Sequence, residues 1–304
     1  MNLFESLSEK RNTPVKILHG TDWWTDCDDI AALRLLCRAH KTGAIELQCV
    51  CANAVMDKTA SSLSAFIQNE GLNIPIGLDR SFVDDGRRGR YQDVFAKYPH
   101  YAENGDCEEA YKLYRRALSQ LDGKADITEI GFPQIIHQLM LSEPDEISPL
   151  SGMELVKEKV NKIWMMAGRW DIENGKEYNL YRYPAARKAA HYIFENSPVP
   201  VTCLGFEVGT SVITGRNQPE GDMLKAGFTA HGSGDGRSSW DPMLVLMAII
   251  NDENAAGYDV VHGKASADPE TGINNFKKGD GNHAYVVKKY EDGYYADIID
   301  NLIK

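Results

Sequence analysis

Apolar runs of strand length alternate with segments of helical composition along most of this 304-residue chain. That rhythm restricts the fold to an α/β arrangement with a mostly parallel central sheet and helices on both faces. Residues 15–20 read as a short buried strand ending in a Gly turn, and residues 30–37 as a helix. A second strand follows at 45–52, a helix at 58–69 and a short third strand at 73–77. The rhythm returns with a strand at 160–167, a helix at 184–195, a strand at 199–205 and a strongly apolar helix at 242–250. Residues 82–105 are rich in Gly, Arg, Asp and Tyr without a clean period, which predicts a long surface loop or lid. Residues 264–295 read as strands and turns that complete the fold, and residues 1–14 as a polar extension. With no repeat, low-complexity tract or Ser/Gly linker, the expectation is one domain over 1–304.

A net charge of −11 argues against a nucleic-acid partner, which calls for a basic patch or stripe. It is compatible with holding a divalent cation. The six cysteines are scattered, mostly within apolar runs, and Cys49-Val-Cys51 has neither thioredoxin nor zinc-ribbon spacing, so reduced thiols are expected. The polar N-terminus lacks a signal-type apolar core and no later stretch is long enough to span a bilayer. A cytoplasmic protein with no membrane partner is therefore expected.

The most informative segment is Thr21-Asp22-Trp23-Trp24-Thr25-Asp26-Cys27-Asp28-Asp29, between the first strand and the first helix. Ligands of parallel α/β sheets bind there, outside the carboxyl ends of the strands. Four carboxylates within eight residues repel one another unless a cation offsets them. Helix capping and the helix dipole account for one or two of the four. An all-oxygen, crowded donor set suits calcium or magnesium, and favours calcium. An EF-hand is excluded by the residue order. Asp26-Cys27-Asp28 matches the aspartate spacing of a haloacid dehalogenase-type phosphatase, although Trp23-Trp24-Thr25 ends a strand poorly.

This stretch resembles the N-terminal signature of the inosine-uridine preferring nucleoside hydrolases, calcium-dependent N-ribohydrolases, in a longer variant with two extra residues before the paired aspartates. Later landmarks follow in the family's order: Ala52-Asn53-Ala54, Glu129-Ile130-Gly131-Phe132-Pro133-Gln134, Met165-Met166-Ala167-Gly168-Arg169, Glu177-Tyr178-Asn179 and Trp240-Asp241-Pro242. Gly205-Phe206-Glu207-Val208-Gly209 is similar to a subset in which Trp precedes the last metal aspartate. The family's usual first aspartate is Gly20 here. The resemblance implies a bound Ca2+ held by Asp22, Asp29, Asp241 and the carbonyl of Pro133, with Asp22 also the general base. It implies ribose contacts from Asp28, Asn53, Glu177 and Asn179, and one further 5′ contact for which Asn174 and Asp171 both qualify. It further implies a small-molecule nucleoside substrate and a homodimer or homotetramer.

The expected chemistry is hydrolysis of an N-glycosidic bond, with Asp22 taking the proton of the attacking water. Trp240 stands where the family often has the His that protonates the leaving base. Stacking on Trp240, or a donor such as Arg88, Arg90 or Tyr91 from the 82–105 loop, are the alternatives, and Trp23 and Trp24 are candidates for the base pocket. No firm role follows for Asp26. Two other readings remain open: a non-catalytic nucleoside- or ribosyl-binding protein, and a magnesium-dependent phosphatase with Asp26 as nucleophile.

Overall fold

A computed structural model of the chain describes residues 2–304. Seven strands come first in chain order: β1 (Val15–Thr21), β2 (Ile45–Ala52), β3 (Ile76–Leu78), β4 (Glu108–Glu109), β5 (Ala125–Glu129), β6 (Val160–Met166) and β7 (Val201–Leu204). A small ribbon, β8 (Ile213–Thr214) and β9 (Arg237–Ser238), stands apart, and β10 (Tyr258–Ala267), β11 (Asn274–Lys278) and β12 (His283–Lys288) finish the set. The ten-stranded main sheet has the order β11-β10-β12-β7-β6-β5-β1-β2-β3-β4. It is parallel from β12 to β4, and β10 pairs antiparallel with both its neighbours. The chain is thus a single α/β domain with a mostly parallel central sheet and helices on both faces.

The order dictates where a ligand can sit. From β1 the chain builds outward through β2, β3 and β4, then returns to the other side of β1 and builds β5, β6 and β7. The loops leaving β1 and β5 therefore diverge, opening a crevice at their carboxyl ends. Side chains that alternate along each strand feed two separate cores. Ile17 and Val50 pack in one, with the helices Asp28–Lys41 and Trp240–Ile250, while Leu18, Cys49 and Cys51 pack in the other. Helix Trp240–Ile250 is buried from Asp241 to Ile249, as expected of a helix apolar on all sides.

Proline explains two strand starts. β3 begins after Pro75 and β7 after Pro200, because proline has no N–H for the ladder, whereas its carbonyl still accepts: Pro75 O takes Val50 N and Pro200 O takes Ile163 N. The central strand β5, Ala-Asp-Ile-Thr-Glu, lacks an apolar pattern yet is buried throughout. Its polar side chains bond sideways instead: Asp126 accepts Trp164 Nε1 (2.8 Å), Thr128 meets His19 Nδ1 (2.9 Å) and Glu129 accepts Asn53 Nδ2 (2.7 Å).

Three segments depart from the sequence expectation. The N-terminal residues hold a helix, Leu3–Lys10, fixed by an Asn2/Glu5 capping box with Phe4 buried. The 82–105 stretch is anchored rather than loose, since Tyr91 and Phe95 are buried and Gln92–Phe95 is helical. The strands and turns expected over 264–295 are present through β12, but a helix, Asp292–Ile303, takes over the last four of those residues. Among the described residues no helix is long and apolar enough to cross a membrane.

Arg34, 1% exposed in helix Asp28–Lys41, donates from Nε to Glu70 (2.8 Å) and from Nη1 to Asp222 (2.8 Å) and to the Ile303 carbonyl (3.2 Å). One guanidinium thus ties three elements to the helix that begins at the acidic turn. Arg34→Met is expected to lower unfolding free energy by about 3 kcal/mol, because it strands buried charge. Urea denaturation checks this, and an unchanged midpoint would contradict it.

Candidate active site

The crevice is built around the turn leaving β1. Trp23 adopts φ 43°, a left-handed conformation uncommon for a bulky residue, and neighbours on every side hold it there. Its N–H donates to Thr21 Oγ1 (3.1 Å) and Asp29 Oδ1 (3.2 Å), its indole N–H donates to Ser62 Oγ (2.9 Å), and Gln92 Nε2 donates to its carbonyl (2.7 Å). Thr21 Oγ1 also donates to Asp29 Oδ1. The turn then enters helix Asp28–Lys41, whose first two residues are Asp28 and Asp29, where the helix dipole favours negative charge.

Asp241 reaches the same place from the first turn of helix Trp240–Ile250, and its amide donates to Asp28 Oδ2 (3.1 Å). Carboxylate oxygens of Asp28, Asp29 and Asp241 lie within 4.8 Å of one another, and Asp22 lines the same cleft beside them. All four are buried, and among the described residues no Lys, Arg or His forms an ion pair with any of them. Burial first, and mutual repulsion second, push the carboxyls of Asp22, Asp28 and Asp241 well above the usual range. Asp29 rises to about 6, chiefly by burial, while its hydrogen bond from Thr21 opposes the rise. Buried, hard oxygen donors without an ion-pair partner among the described residues fit a divalent cation.

The cleft above these carboxylates has a volume of about 380 Å³. Glu177 and Asn179 line it from the segment after β6, with Ile130 from the turn after β5. Glu177 accepts the amides of Asn179 (2.7 Å) and Gly168 (3.1 Å), and burial lifts its carboxyl to about 7. Asn179 Nδ2 donates to the carbonyls of Met166 (3.1 Å) and Ile130 (3.3 Å), which leaves its side-chain oxygen for a ligand. Tyr178 and Phe206, 37% and 36% exposed, supply the aromatic surface such a cleft needs to hold a planar ring.

The structure brings together Asp22, Asp28, Asp29, Glu177, Asn179, Trp240 and Asp241. It does not bring Pro133 to the cleft: Pro133 caps helix Gln134–Leu141 and its carbonyl accepts His137 N (3.2 Å). Ile130, three residues earlier in that turn, lines the cleft, and its carbonyl accepts Asn179 Nδ2 (3.3 Å). Asn53 lies one layer behind, fully buried, its Oδ1 accepting Phe132 N (3.0 Å) and its Nδ2 donating to Glu129. Asn174 is exposed in a left-handed turn and pairs with Asn275, remote from the cleft, and Asp171 is exposed and pairs with Arg169. The loop guesses also fall outside: Arg88 pairs with Asp93, Arg90 donates to the His231 carbonyl, and Tyr91 is buried against Trp23. Trp23 and Trp24 are packing residues; Trp24 donates to Asp84 (2.9 Å) beneath Arg87.

Sequence reasoning missed Arg237, Phe206 and Glu129. Arg237 lines the cleft and grips Asp26, but a lone arginine before a helix carries no motif. Glu129 closes the gap at Gly20: a Cβ on Gly20 would lie 2.3 Å from Glu129 Oε2. A carboxylate from the neighbouring strand thus occupies the space a side chain at position 20 would take, and burial raises it to about 8. Gly131 is constrained likewise, since a Cβ there would lie 2.4 Å from the Asp22 amide nitrogen and 2.6 Å from Asn53 Oδ1.

No family model and no curated protein matches the sequence. Solved structures do match in fold. An inosine-uridine preferring nucleoside hydrolase from Bacillus anthracis superposes with TM-score 0.69 at 14% identity, covering 95% of this chain and 99% of that one. A purine-preferring ribonucleoside hydrolase from Gardnerella vaginalis gives 0.67 at 15% identity over 95% and 98%. The type III effector protein XopQ, complexed with adenosine diphosphate ribose, gives 0.67 at 13% identity over 100% and 98%. The chain therefore has the fold of the nucleoside hydrolases.

Two outcomes follow from this geometry. Gly20→Ala is expected to cost about 1–3 kcal/mol by overpacking against Glu129, and little when Glu129→Ala is already present. Urea denaturation of the double-mutant cycle measures that coupling, and additive costs would contradict it. The raised carboxyls of Asp29, Glu177 and Glu129 also set a pH dependence. Their folded pKa values exceed the unfolded ones, so the folded state binds more protons and stability falls as pH rises from about 4 to about 8. In EDTA the melting temperature should fall across that window, and calcium should restore more of it at the alkaline end. A flat profile would contradict the assignment.

Proposed function

We propose that this protein hydrolyses the N-glycosidic bond of ribonucleosides, releasing ribose and free base. The observation that supports this most is the juxtaposition of the uncompensated carboxylates with Glu177 and Asn179 in one cleft, at the switch point of a nucleoside hydrolase-like sheet. Asp22, Asp29 and Asp241 are the side chains that would hold Ca2+, together with a backbone carbonyl from the turn after β5, where Ile130 lines the cleft. Calcium bound there would supply Lewis acidity toward a water and toward the ribose hydroxyls.

The protein's own groups do the rest. Asp22, with Trp24 N–H bonded to its carboxylate, takes the proton of the attacking water. Asp28 holds the ribose 2′-hydroxyl, and Asn179 and Glu177 hold the 3′- and 5′-hydroxyls, so the sugar is fixed before the bond breaks. Asn53 acts through Glu129 and the Phe132 amide, as a positioning residue rather than a ribose ligand. The phosphatase reading gains no support, since Arg237 engages both oxygens of Asp26. A ribosyl-binding role is the second reading, favoured by one observation: XopQ, whose structure is complexed with adenosine diphosphate ribose, shares the fold.

Base release from a panel of ribonucleosides, with and without EDTA, tests the proposal. EDTA-sensitive release is expected, reduced by about a hundredfold or more in Asp22→Ala. Saturable binding of nucleosides or adenosine diphosphate ribose with no base released would overturn hydrolysis in favour of the binding role.

A further inference from the structure

Departure of the nucleobase is the step for which the carboxylates and the sugar-holding residues provide nothing. The wall of the cleft does. Gly168 N–H donates to Glu177, and the Gly168 carbonyl accepts Phe206 N (2.8 Å), so Phe206 stands next to the sugar-holding end. The Phe206 ring stacks on Trp240 (centroids 5.5 Å apart), and the Arg237 guanidinium lies over Trp240 (5.2 Å). Along this wall Arg237 is therefore reached last from Glu177, past two aromatic rings. The Trp240 indole is already engaged by both neighbours, and its N–H donates to the Phe206 carbonyl (2.7 Å). That leaves it wall material rather than a free stacking face.

Arg237 is aimed and fixed. Its Nε donates to Asp26 Oδ1 (2.8 Å) and its Nη2 to Asp26 Oδ2 (2.5 Å), a bidentate pair that sets the guanidinium plane. Among the described residues Nη1 donates to no protein acceptor. The side chain is 33% exposed and lines the cleft with Asp26, so two N–H donors of a permanent cation are free there.

On the reading that the protein cleaves ribonucleosides, we propose that Arg237, oriented by Asp26, is the leaving-group donor that stabilises the departing base. The C1′–N bond breaks with its electron pair passing to the base, and the negative charge that develops on the ring nitrogens and exocyclic oxygens is met by the Nη1 donors. The guanidinium keeps its protons. The water oxygen bonds to C1′, its proton goes to Asp22 and then to solvent, and the base takes a proton from solvent, so one water is consumed. Asp26 is a positioning residue in this scheme.

The test compares natural nucleosides with a riboside whose leaving group needs no help. The kcat/KM values for inosine and uridine are measured beside that for 4-nitrophenyl β-D-riboside, in the wild type, Arg237→Gln, Arg237→Lys and Asp26→Asn, all calcium-loaded. The ratio of nucleoside to nitrophenyl riboside kcat/KM is expected to fall by at least about thirtyfold in Arg237→Gln. Arg237→Lys should recover part of the ratio and Asp26→Asn should lose a smaller part. A parallel fall on both substrates in these variants would overturn the proposal, showing that the pair only shapes the cleft. Wild-type turnover of neither substrate would instead remove the hydrolase reading and this proposal with it. Thermal melts identify any misfolded variant, and if Arg237→Gln is one, Asp26→Asn decides by the same ratio.

Discussion

Four buried carboxylates line one cleft, where among the described residues no lysine, arginine or histidine forms an ion pair with them, and the rest of the architecture is arranged to keep them there. The cost of burying even one ion this way is several kcal/mol, so the surroundings must contribute. Part of the offset is local. The first turn of helix Asp28–Lys41 presents its positive pole to Asp28 and Asp29, and Thr21 and the Trp23 amide bond Asp29. Part is global, because Asp241 arrives on a helix buried on all sides and cannot be pushed away without opening the core. Held against repulsion, such a set is a receptor for positive charge before it is anything else.

The parts of the fold legible in the sequence were those written in apolar residues. β1, β2 and β6 stand where their Val, Ile, Leu and Met runs put them, and the acidic turn between β1 and the following helix marked the site. β5 was not legible, because Asp126, Thr128 and Glu129 read as surface residues until their partners from adjacent strands are seen. The site shows the same division. Residues belonging to a contiguous motif, such as Glu177-Tyr178-Asn179, reached the cleft. Positions that depend on a turn's exact geometry did not: Pro133 became a helix cap and Asn174 turned to solvent beside Asn275. The Asp26–Arg237 pair joins residues 211 apart in sequence, and spacing cannot reveal it.

Gly20 and Glu129 show how one strand leaves room that its neighbour fills. The family's usual first aspartate is Gly20 in this sequence, and in the structure a carboxylate from β5 fills the space that a side chain at position 20 would take. Because β1 and β5 are paired in register, Gly20 faces Glu129 directly.

Arg11 gives the N-terminal segment a bearing on chemistry more than two hundred residues away. Its guanidinium donates to the carbonyls of Ile249 (2.8 Å), Ile250 (2.7 Å) and Ala44 (2.9 Å), closing the tail of the helix whose head carries Asp241. A helix behaves as a rigid rod, so a clamp on one end sets the position of the other. The segment that read as a polar extension thus carries the side chain that ties the tail of that helix to the residue before β2.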